Sequence, residues 1–271
     1  MLPYKKSLGQ NFLLNNRIME KIRDSLSLDK GDKLLEIGAG PGNLTLFLAP
    51  CVSKLYAVEI DESFREKLTK IEESFPNVEI IFGDFLKITL KEELLEITKA
   101  TGNLPYNIGS PILERIAYET DIDLCVFMFA SGTGNRFLAK EGSKDYSSLT
   151  VFTKSFFKVE KVLSVSKENF YPKPKVDSVV LKFTRLDNLD KDFLKEFNRF
   201  VINLFSYRRK TIQNSLLELI SKNSIIKDSL IKEKVKEILD ELNIDQMQRV
   251  ETLNIETLKL LFKTLARDRL L

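Results

Sequence analysis

Histidine is absent from the 271-residue sequence, and cysteine occurs only twice. Without imidazole the chain can form no Ser-His or Cys-His nucleophile pair, and it lacks the commonest metal ligand. Cys51 and Cys125 stand far apart with no Cys-x-x-Cys pair, which argues against a disulfide scaffold and against a zinc knuckle. We therefore expect two core thiols in a cytoplasmic protein, and chemistry that needs neither histidine nor a metal.

Long apolar runs are also missing. The longest, residues 124–130, is far too short to span a bilayer, and the basic N-terminus has no apolar stretch of signal-peptide length. Hydrophobic residues make up 43% of the chain and charged residues 30%, which excludes collagen-like and wholly disordered classes. We expect a globular protein without membrane association, built from one large domain and a smaller one.

Neither positive nor negative charge is in large excess. The 42 Lys and Arg residues nearly balance the 39 Asp and Glu residues, so the net charge of +3 does not by itself indicate an anionic partner. Local clusters are more informative, because Arg208, Arg209 and Lys210 follow Tyr207 as they would on a nucleic-acid surface. Solvated side chains in a Lys-rich protein explain any single cluster equally well.

The order of apolar runs predicts an α/β fold. Short apolar runs alternate with amphipathic stretches in the first third, which is typical of a mostly parallel sheet covered by helices. The predicted strands are 33–38, 54–60, 78–82, an apolar-poor strand over 96–101, and 123–129. The predicted helices between them are 43–49, 62–75 and 110–118. An antiparallel pair, 156–165 and 179–184, should close the sheet, and the predicted helices after the boundary at 186–190 are 190–205, 210–220, 226–242 and 256–266.

A glycine turn joins the first predicted strand to its helix. Residues 38–42 read Gly-Ala-Gly-Pro-Gly, a context in which the backbone can approach a nucleotide-like ligand. A dinucleotide fingerprint would need glycine at position 43, where this chain has Asn43. Glu59 ends the second strand, where it could accept both ribose hydroxyls, and Asp84 follows the third, where it could accept an adenine amino group. Either acid alone could be an ordinary surface residue; together they favour a nucleoside pocket, with S-adenosylmethionine as the obvious ligand.

The tetrapeptide 103–106 predicts the chemistry. An adenine N6 nitrogen is a poor nucleophile because its lone pair is delocalised, so a methyl-acceptor site must accept both of its N–H bonds. The Asn103 side-chain oxygen and the Leu104 carbonyl could do so, while Pro105 keeps Leu104 extended and Tyr106 offers a ring to a flipped base. An in-line displacement then needs no general base. The alternative interpretation is an ordinary turn, because Asn and Pro are common turn residues.

These motifs together resemble the KsgA type of ribosomal RNA small-subunit adenine dimethyltransferases, and the match covers nearly the whole chain. The matching segments are 5–13, 36–45, Glu59, Asp84, 102–111, 143–147, 169–178 and 207–211. The resemblance implies a Rossmann-like methyltransferase domain over 1–186 and a small all-helical, RNA-binding domain over 187–271. It also implies transfer of four methyl groups from S-adenosylmethionine to N6 of two adjacent adenines near the 3′ end of 16S rRNA, in an assembling small ribosomal subunit. A monomer is expected for an enzyme with so large a partner.

The resemblance implies a role for individual positions. The residues expected to bind the cofactor are Asn11, Leu13, Gly38, Gly40, Glu59, Asp84 and Asn103. The residues expected around the acceptor adenine are Asn103, Leu104, Pro105, Tyr106 and Phe170, with the two rings sandwiching the base. The residues expected to face RNA are Arg208, Arg209 and Lys210.

The chain departs from the family in one segment. Where a polar helix start is usual, residues 129–135 read Phe-Ala-Ser-Gly-Thr-Gly-Asn, and the two glycines are expected to weaken that helix. Gly109, where the family often has Ser, is a milder change. Two alternatives stay open: a methyltransferase that modifies an adenine of large-subunit rRNA, and a ribosome-assembly or transcription factor that binds RNA without methylating it.

Overall fold

The computed structural model describes residues 10–90, 94, 96–105, 108–221 and 228–271. Contacts divide the chain into two units. The first contains the described residues up to Asn135 together with Phe157–Leu186, and the second contains Arg136–Phe156 and Asp187–Leu271. Among the helices described, none is both long enough and apolar enough to cross a membrane.

A seven-stranded mixed sheet forms the centre of the first unit. Its strands are β2 (Lys33–Ile37), β3 (Lys54–Glu59), β4 (Val78–Phe82), β5 (Lys99–Asn103), β6 (Leu124–Ala130), β7 (Phe157–Val165) and β9 (Ser178–Arg185). The spatial order is β4-β3-β2-β5-β6-β9-β7, with the first five parallel and β9 antiparallel to both neighbours. The helices are α1 (Asn16–Leu26), α2 (Asn43–Leu48), α3 (Arg65–Ser74), α4 (Gly109–Glu119) and α5 (Ser131–Leu138). The predicted α/β class is confirmed.

The apolar-poor strand is central in the sheet. It runs over Lys99–Asn103, between β2 and β6, and therefore begins three residues later than predicted. A Cβ atom on Gly102 would collide with the Ile37 carbonyl oxygen, so the backbone passes too close to β2 for a larger residue. Close packing of backbones, rather than apolar side chains, accounts for this strand.

A two-stranded ribbon, which the sequence pattern did not indicate, lies beside the sheet. Its strands β1 (Phe12–Leu13) and β8 (Phe170–Tyr171) are antiparallel, with Phe12 opposite Tyr171 and Leu13 opposite Phe170. The Leu14 N–H also donates to the Asn169 carbonyl at 3.0 Å. The ribbon thereby brings the start of the chain next to residue 170.

The glycine-containing segment expected to weaken a helix does form one, α5. A Cβ atom on Gly134 would collide with Cγ1 of Val179, so this glycine allows α5 to pack closely against β9. The position of Gly132 differs, because nothing lies within 4 Å of a Cβ atom placed there. One glycine is required by packing and the other is not.

The second unit is helical. Its helices are α6 (Ser148–Phe156), α7 (Lys191–Ser206), α8 (Ile212–Ser221), α9 (Asp228–Glu241) and α10 (Ile255–Arg267). The division expected at residue 186 assigned 136–156 to the first domain, whereas the structure groups these residues with the helical unit. Two hydrogen bonds within that unit show why, since the Tyr146 hydroxyl donates to the Leu253 carbonyl at 3.0 Å and the Gly142 N–H to the Glu251 carbonyl at 2.7 Å.

Replacing each glycine of α5 by alanine tests the packing argument. Gly132→Ala should stabilise the protein by up to about 1 kcal/mol, because alanine favours the helix and the site is open. Gly134→Ala should destabilise it by about 1–3 kcal/mol, because the added methyl group overpacks the contact with Val179. Urea unfolding of both variants measures the difference, and equal shifts would contradict the close packing.

Candidate active site

A cavity opens at the carboxyl ends of the parallel strands. Its volume is about 860 Å³ when the open space at its mouth is included. Four strands each contribute one residue near their carboxyl end: Gly38 after β2, Glu59 at the end of β3, Asp84 after β4 and Asn103 at the end of β5. Strand ends of a parallel sheet share one edge, which is where ligands of α/β folds bind.

Glu59 is held by backbone donors. The Gly40 N–H donates to one carboxylate oxygen at 2.6 Å, and the Asp61 N–H donates to the other at 2.7 Å. Burial raises the pKa of Glu59, and the two backbone hydrogen bonds oppose that rise. The carboxylate thus has a fixed orientation, and each oxygen keeps a further lone pair for a hydroxyl donor.

The glycine turn supports this arrangement. The N–H groups of Gly38 and Ala39 donate to the Val58 carbonyl at 2.9 and 3.2 Å, which ties the turn to β3. Gly40 has a φ of +56°, and a Cβ atom there would lie 3.2 Å from the Phe12 ring. The turn needs glycine at position 40 both for its backbone conformation and for this close approach.

Asp84 begins the turn after β4. One carboxylate oxygen accepts from the Leu86 N–H at 3.0 Å, and the other lies 3.6 Å from the Lys87 ammonium group. Its neighbour Phe85 is buried and lines the cavity beside Ile60. An acid next to apolar walls is an arrangement that can hold a heterocyclic base with an exocyclic amine.

The Asn103 amide is oriented by the N-terminal segment. Its Nδ2 donates to the Asn11 carbonyl oxygen at 2.6 Å, and both residues line the cavity. Because a carbonyl can only accept, this bond identifies which end of the amide is nitrogen. Oδ1 therefore serves as a hydrogen-bond acceptor at this site.

Two of the residues expected near an acceptor base lie beside Asn103. The Leu104 N–H donates to the Met128 carbonyl at 3.0 Å, which continues the sheet past the end of β5, and Pro105 follows at the cavity wall. Phe170, held by the β1–β8 ribbon, also lines the cavity, although it is only 5% exposed. Tyr106 lies outside the described residues.

The expected cofactor residues do not all line the same cavity. Leu13 lines a smaller neighbouring cavity together with Gly38 and Asn103, and its carbonyl accepts from the Asn43 side chain at 3.0 Å. Gly40 lines neither of these two cavities, and its contribution is the N–H group that donates to the Glu59 carboxylate. Several lining residues were not predicted from the sequence, among them Gln10, Phe12, Ile60, Phe85, Ile108 and Ile112. Ile60 and Phe85 directly follow the two acids, and that adjacency is the sequence signal that could have identified them.

The basic cluster 208–210 of the helical unit contains one side chain that is bound within the unit and two that are exposed. Arg208 is ion-paired with Glu251 and donates to the Lys144 carbonyl at 2.8 Å, so its charge is used within the unit. Arg209 and Lys210 are exposed and line an open groove at the start of α8. Lys210 also pairs with Glu218 and lies over the Tyr207 ring.

Glu36 is a buried acid beneath the glycine turn. It is 1% exposed, and the Thr45 hydroxyl donates to it at 2.7 Å. Burial raises the pKa of Glu36 to about 8, the Thr45 hydrogen bond opposes that rise, and the charge of Glu59 adds to it. Glu36 is therefore mostly protonated at neutral pH.

The lining residues fit S-adenosylmethionine better than a pyrophosphate ligand. Among the described residues that line the cavity, two are carboxylic acids and none is Lys or Arg. A pyrophosphate would meet like charge here, whereas a cationic nucleoside with hydroxyl and amine donors would meet acceptors. Nor do the described residues contain a group of three or more His, Cys, Asp or Glu side chains that could hold a metal ion.

Comparison with known proteins decides the family. The model of the ribosomal RNA adenine dimethylase family matches residues 1–260. The chain belongs to this family. It is 37% identical over 251 residues to ribosomal RNA small subunit methyltransferase A of Borreliella burgdorferi, covering 92% of this chain and 89% of that protein. It is 40% identical over 217 residues to the protein of the same name from Thermotoga petrophila, covering 80% of this chain and 81% of that one.

Solved structures of related enzymes have the same fold. A dimethyladenosine transferase from Plasmodium falciparum aligns with a TM-score of 0.82 and 27% identity, over 95% of this chain and 98% of that one. The 23S rRNA methyltransferase ErmE aligns with a TM-score of 0.70 and 26% identity, over 94% and 99%. Membership of the dimethylase family confirms an S-adenosylmethionine-dependent methyltransferase with C-terminal helices, as the sequence predicted.

The protonated state of Glu36 predicts a pH-dependent effect on stability. The folded pKa lies above the ordinary value of 4.5, so the stabilisation linked to this proton is complete below pH 4.5 and is lost as the pH rises through about 8. Glu36→Gln should match the wild type at pH 4 and exceed it at pH 9 by on the order of a few kcal/mol, because each pKa unit is worth about 1.4 kcal/mol.

Urea unfolding at several pH values measures this effect. Glu66→Gln is the control, since Glu66 is exposed on α3 and Lys70 lowers its pKa. The control should show no gain of stability at pH 9. Parallel pH profiles for Glu36→Gln and the wild type would show that Glu36 is ionised in the folded protein.

Proposed function

We propose that this chain transfers methyl groups from S-adenosylmethionine to N6 of two adjacent adenines near the 3′ end of 16S rRNA, in an assembling small ribosomal subunit. The observation that carries the proposal is the oriented amide of Asn103, whose Nδ2 donates to the Asn11 carbonyl within the cavity. The names of the curated relatives, which specify the small subunit, support this choice of substrate.

The acids would hold the methyl donor at the two ends of its nucleoside. When bound, S-adenosylmethionine supplies an electrophilic methyl group. The Glu59 carboxylate, oriented by two backbone N–H groups, is suited to accept from ribose hydroxyls. Asp84, between Phe85 and the end of β4, is suited to accept from an adenine amine, and Gly38 leaves room for the methionine part. Asn11 lines the same cavity, and Leu13 lines the smaller neighbouring cavity that shares Gly38 and Asn103 with it.

The acceptor adenine would be held by two oxygen atoms. Oδ1 of Asn103 and the carbonyl of Leu104 accept the two N–H bonds of N6, which draws the nitrogen out of conjugation and exposes its lone pair. Pro105 keeps Leu104 extended. Phe170 offers one face for stacking of the flipped base, and Tyr106, by resemblance, would offer the other.

The remaining catalytic contribution is positioning. Asn103 and Leu104 would hold N6 beside the methyl donor bound by Glu59 and Asp84, which would remove most of the entropic cost of bringing the two reactants together. The proton of N6 then passes to water, so the absence of histidine from the sequence is no obstacle. We propose that the enzyme acts as a cytoplasmic monomer.

The RNA surface would use Arg209 and Lys210. Both are exposed and line the groove at the start of α8, where phosphates can reach them. Lys210 also pairs with Glu218, but Arg208 is less exposed than Lys210 and is engaged with both Glu251 and the Lys144 carbonyl. We therefore assign Arg208 a role in holding the helical unit together and leave the RNA contacts to its two neighbours.

Paired substitutions separate the two halves of the proposed site. Asn103→Ala should lower turnover at least a hundredfold and leave the affinity for S-adenosylhomocysteine within about threefold, because one oriented acceptor is worth roughly 3–4 kcal/mol in a transition state. Glu59→Ala should instead weaken that affinity at least tenfold. Calorimetry and methyl transfer from labelled donor to assembling small subunits provide the two measurements.

Three results would count against this assignment. Wild-type turnover in Asn103→Ala would exclude the acceptor role, and unchanged affinity in Glu59→Ala would exclude the ribose contact. A methylated adenine in large-subunit rRNA, or no product at all, would support one of the two alternative functions. Sequencing of the labelled RNA identifies the modified position.

The salt dependence of subunit binding tests the basic groove. Replacing Arg209 and Lys210 together by alanine should reduce the slope of log K against log salt concentration by about 0.7–0.9 for each phosphate that the protein no longer neutralises. The control replaces Lys232 and Lys236, two exposed lysines of α9, and removes the same charge elsewhere. Equal slopes for the two double variants would remove the groove from the RNA surface.

A further inference from the structure

The end of β6 contacts both ends of the segment 104–109, which we call the acceptor segment because it contains the proposed acceptor residues Leu104 and Pro105. Upstream, the Met128 carbonyl accepts from the Leu104 N–H at 3.0 Å. Downstream, the ring of Phe129 lies against Gly109, the first residue of α4, so that a Cβ atom at position 109 would lie 2.6 Å from Cε1 and 2.9 Å from Cδ1 of the ring. Two consecutive residues of one strand therefore hold the start of the segment and its end.

The backbone itself does not require glycine at position 109. The φ values in the left-handed region belong to Gly38, Gly40, Gly42, Gly83 and Gly142 among the described glycines, and Gly109 is not one of them. Alanine would favour a helix over glycine by about 0.5–1 kcal/mol. The ring of Phe129 is thus what excludes a side chain at this position.

The ring cannot easily move aside. Phe129 is 1% exposed, and its ring packs edge-on against Phe127 at 6.2 Å and against Phe183 at 5.9 Å between centroids. Because cores are close-packed, the Phe129 ring has no free space into which a side chain at position 109 could push it. The start of α4 would have to shift if position 109 carried a side chain.

A shift of α4 would reach the cavity directly. Ile108, next to Gly109, and Ile112, one turn later, both line the cavity that contains Asn103. Glu59 ends β3 and Asp84 follows β4, and the backbone N–H groups that bind their carboxylates lie outside α4. Arg115, nearly two turns into α4, donates to the Ile88 carbonyl at 2.6 Å in the turn that follows Asp84, so the cofactor side is spared only by a shift confined to the first turn of α4. A change at position 109 should therefore affect the acceptor side more than the cofactor side.

We propose that Phe129 is a positioning residue for methyl transfer, whose ring sets the place of the start of α4 and thereby of Ile108 and Ile112 in the cavity wall, while Met128 holds Leu104. The proposal rests on the acceptor role proposed above for Asn103, Leu104 and Pro105. The contact between Phe129 and Gly109 would thus constrain methyl transfer although neither residue lines the cavity.

A double-mutant cycle tests the proposal. Gly109→Ala in the wild-type background should lower kcat at least tenfold, raise the ratio of monomethyl to dimethyl adenine, and leave the dissociation constant for S-adenosylhomocysteine within twofold. Phe129→Leu removes the ring edge, and in that background Gly109→Ala should lower kcat by less than twofold. Phe129→Met serves as a second, larger replacement should the leucine variant not fold.

The matched control is Phe197→Leu, the same substitution at a buried ring of the helical unit, which packs against Phe193 and Phe262. In this background Gly109→Ala should still lower kcat at least tenfold. Equal losses in all three backgrounds, or a loss of cofactor affinity parallel to the loss of kcat, would overturn the positioning role. A wild-type protein that makes no dimethyladenine would contradict the proposed function instead, so the two failures are distinguishable.

Discussion

The hydrogen bond from the Asn103 amide to the Asn11 carbonyl joins the N-terminal segment to the central strand of the sheet. It determines the polarity of the amide, and the proposed acceptor site depends on that polarity. The β1–β8 ribbon places Phe12 and Phe170 around the same point. The orientation of one oxygen atom, Oδ1 of Asn103, thus depends on a contact between residues more than ninety positions apart in the chain.

Two buried acids lie at this edge of the sheet, where burial disfavours their charged forms. Glu36 and Glu59 are both nearly inaccessible, and burial raises the pKa of each. Two backbone N–H groups offset the cost of burying the charge of Glu59. Glu36 accepts from one hydroxyl only and stays protonated. Carboxyl groups with perturbed pKa values in a cleft are typical of functional sites.

Sequence reasoning predicted the parts of the fold that depend on local pattern. The strands 78–82 and 54–59 and the helices after residue 190 follow from apolar periodicity, and their observed bounds agree within one to two residues. The strand Lys99–Asn103 began later than predicted because its close contact with β2 selects small residues. The ribbon of two short strands has too few residues for any periodicity, so the pattern could not indicate it.

The sequence by itself determined the chemistry available here: glycines and acids at successive strand ends, an Asn-Leu-Pro-Tyr segment, and no histidine. The tertiary structure decided which way the Asn103 amide points, that Arg208 is committed to Glu251, that residues 136–156 belong to the helical unit, and that the Phe129 ring excludes a side chain at Gly109. The physical reason is the distance along the chain over which each interaction acts. Periodicity and turn chemistry act between neighbours in the chain, whereas hydrogen-bond partners and excluded volume depend on residues that only folding brings together.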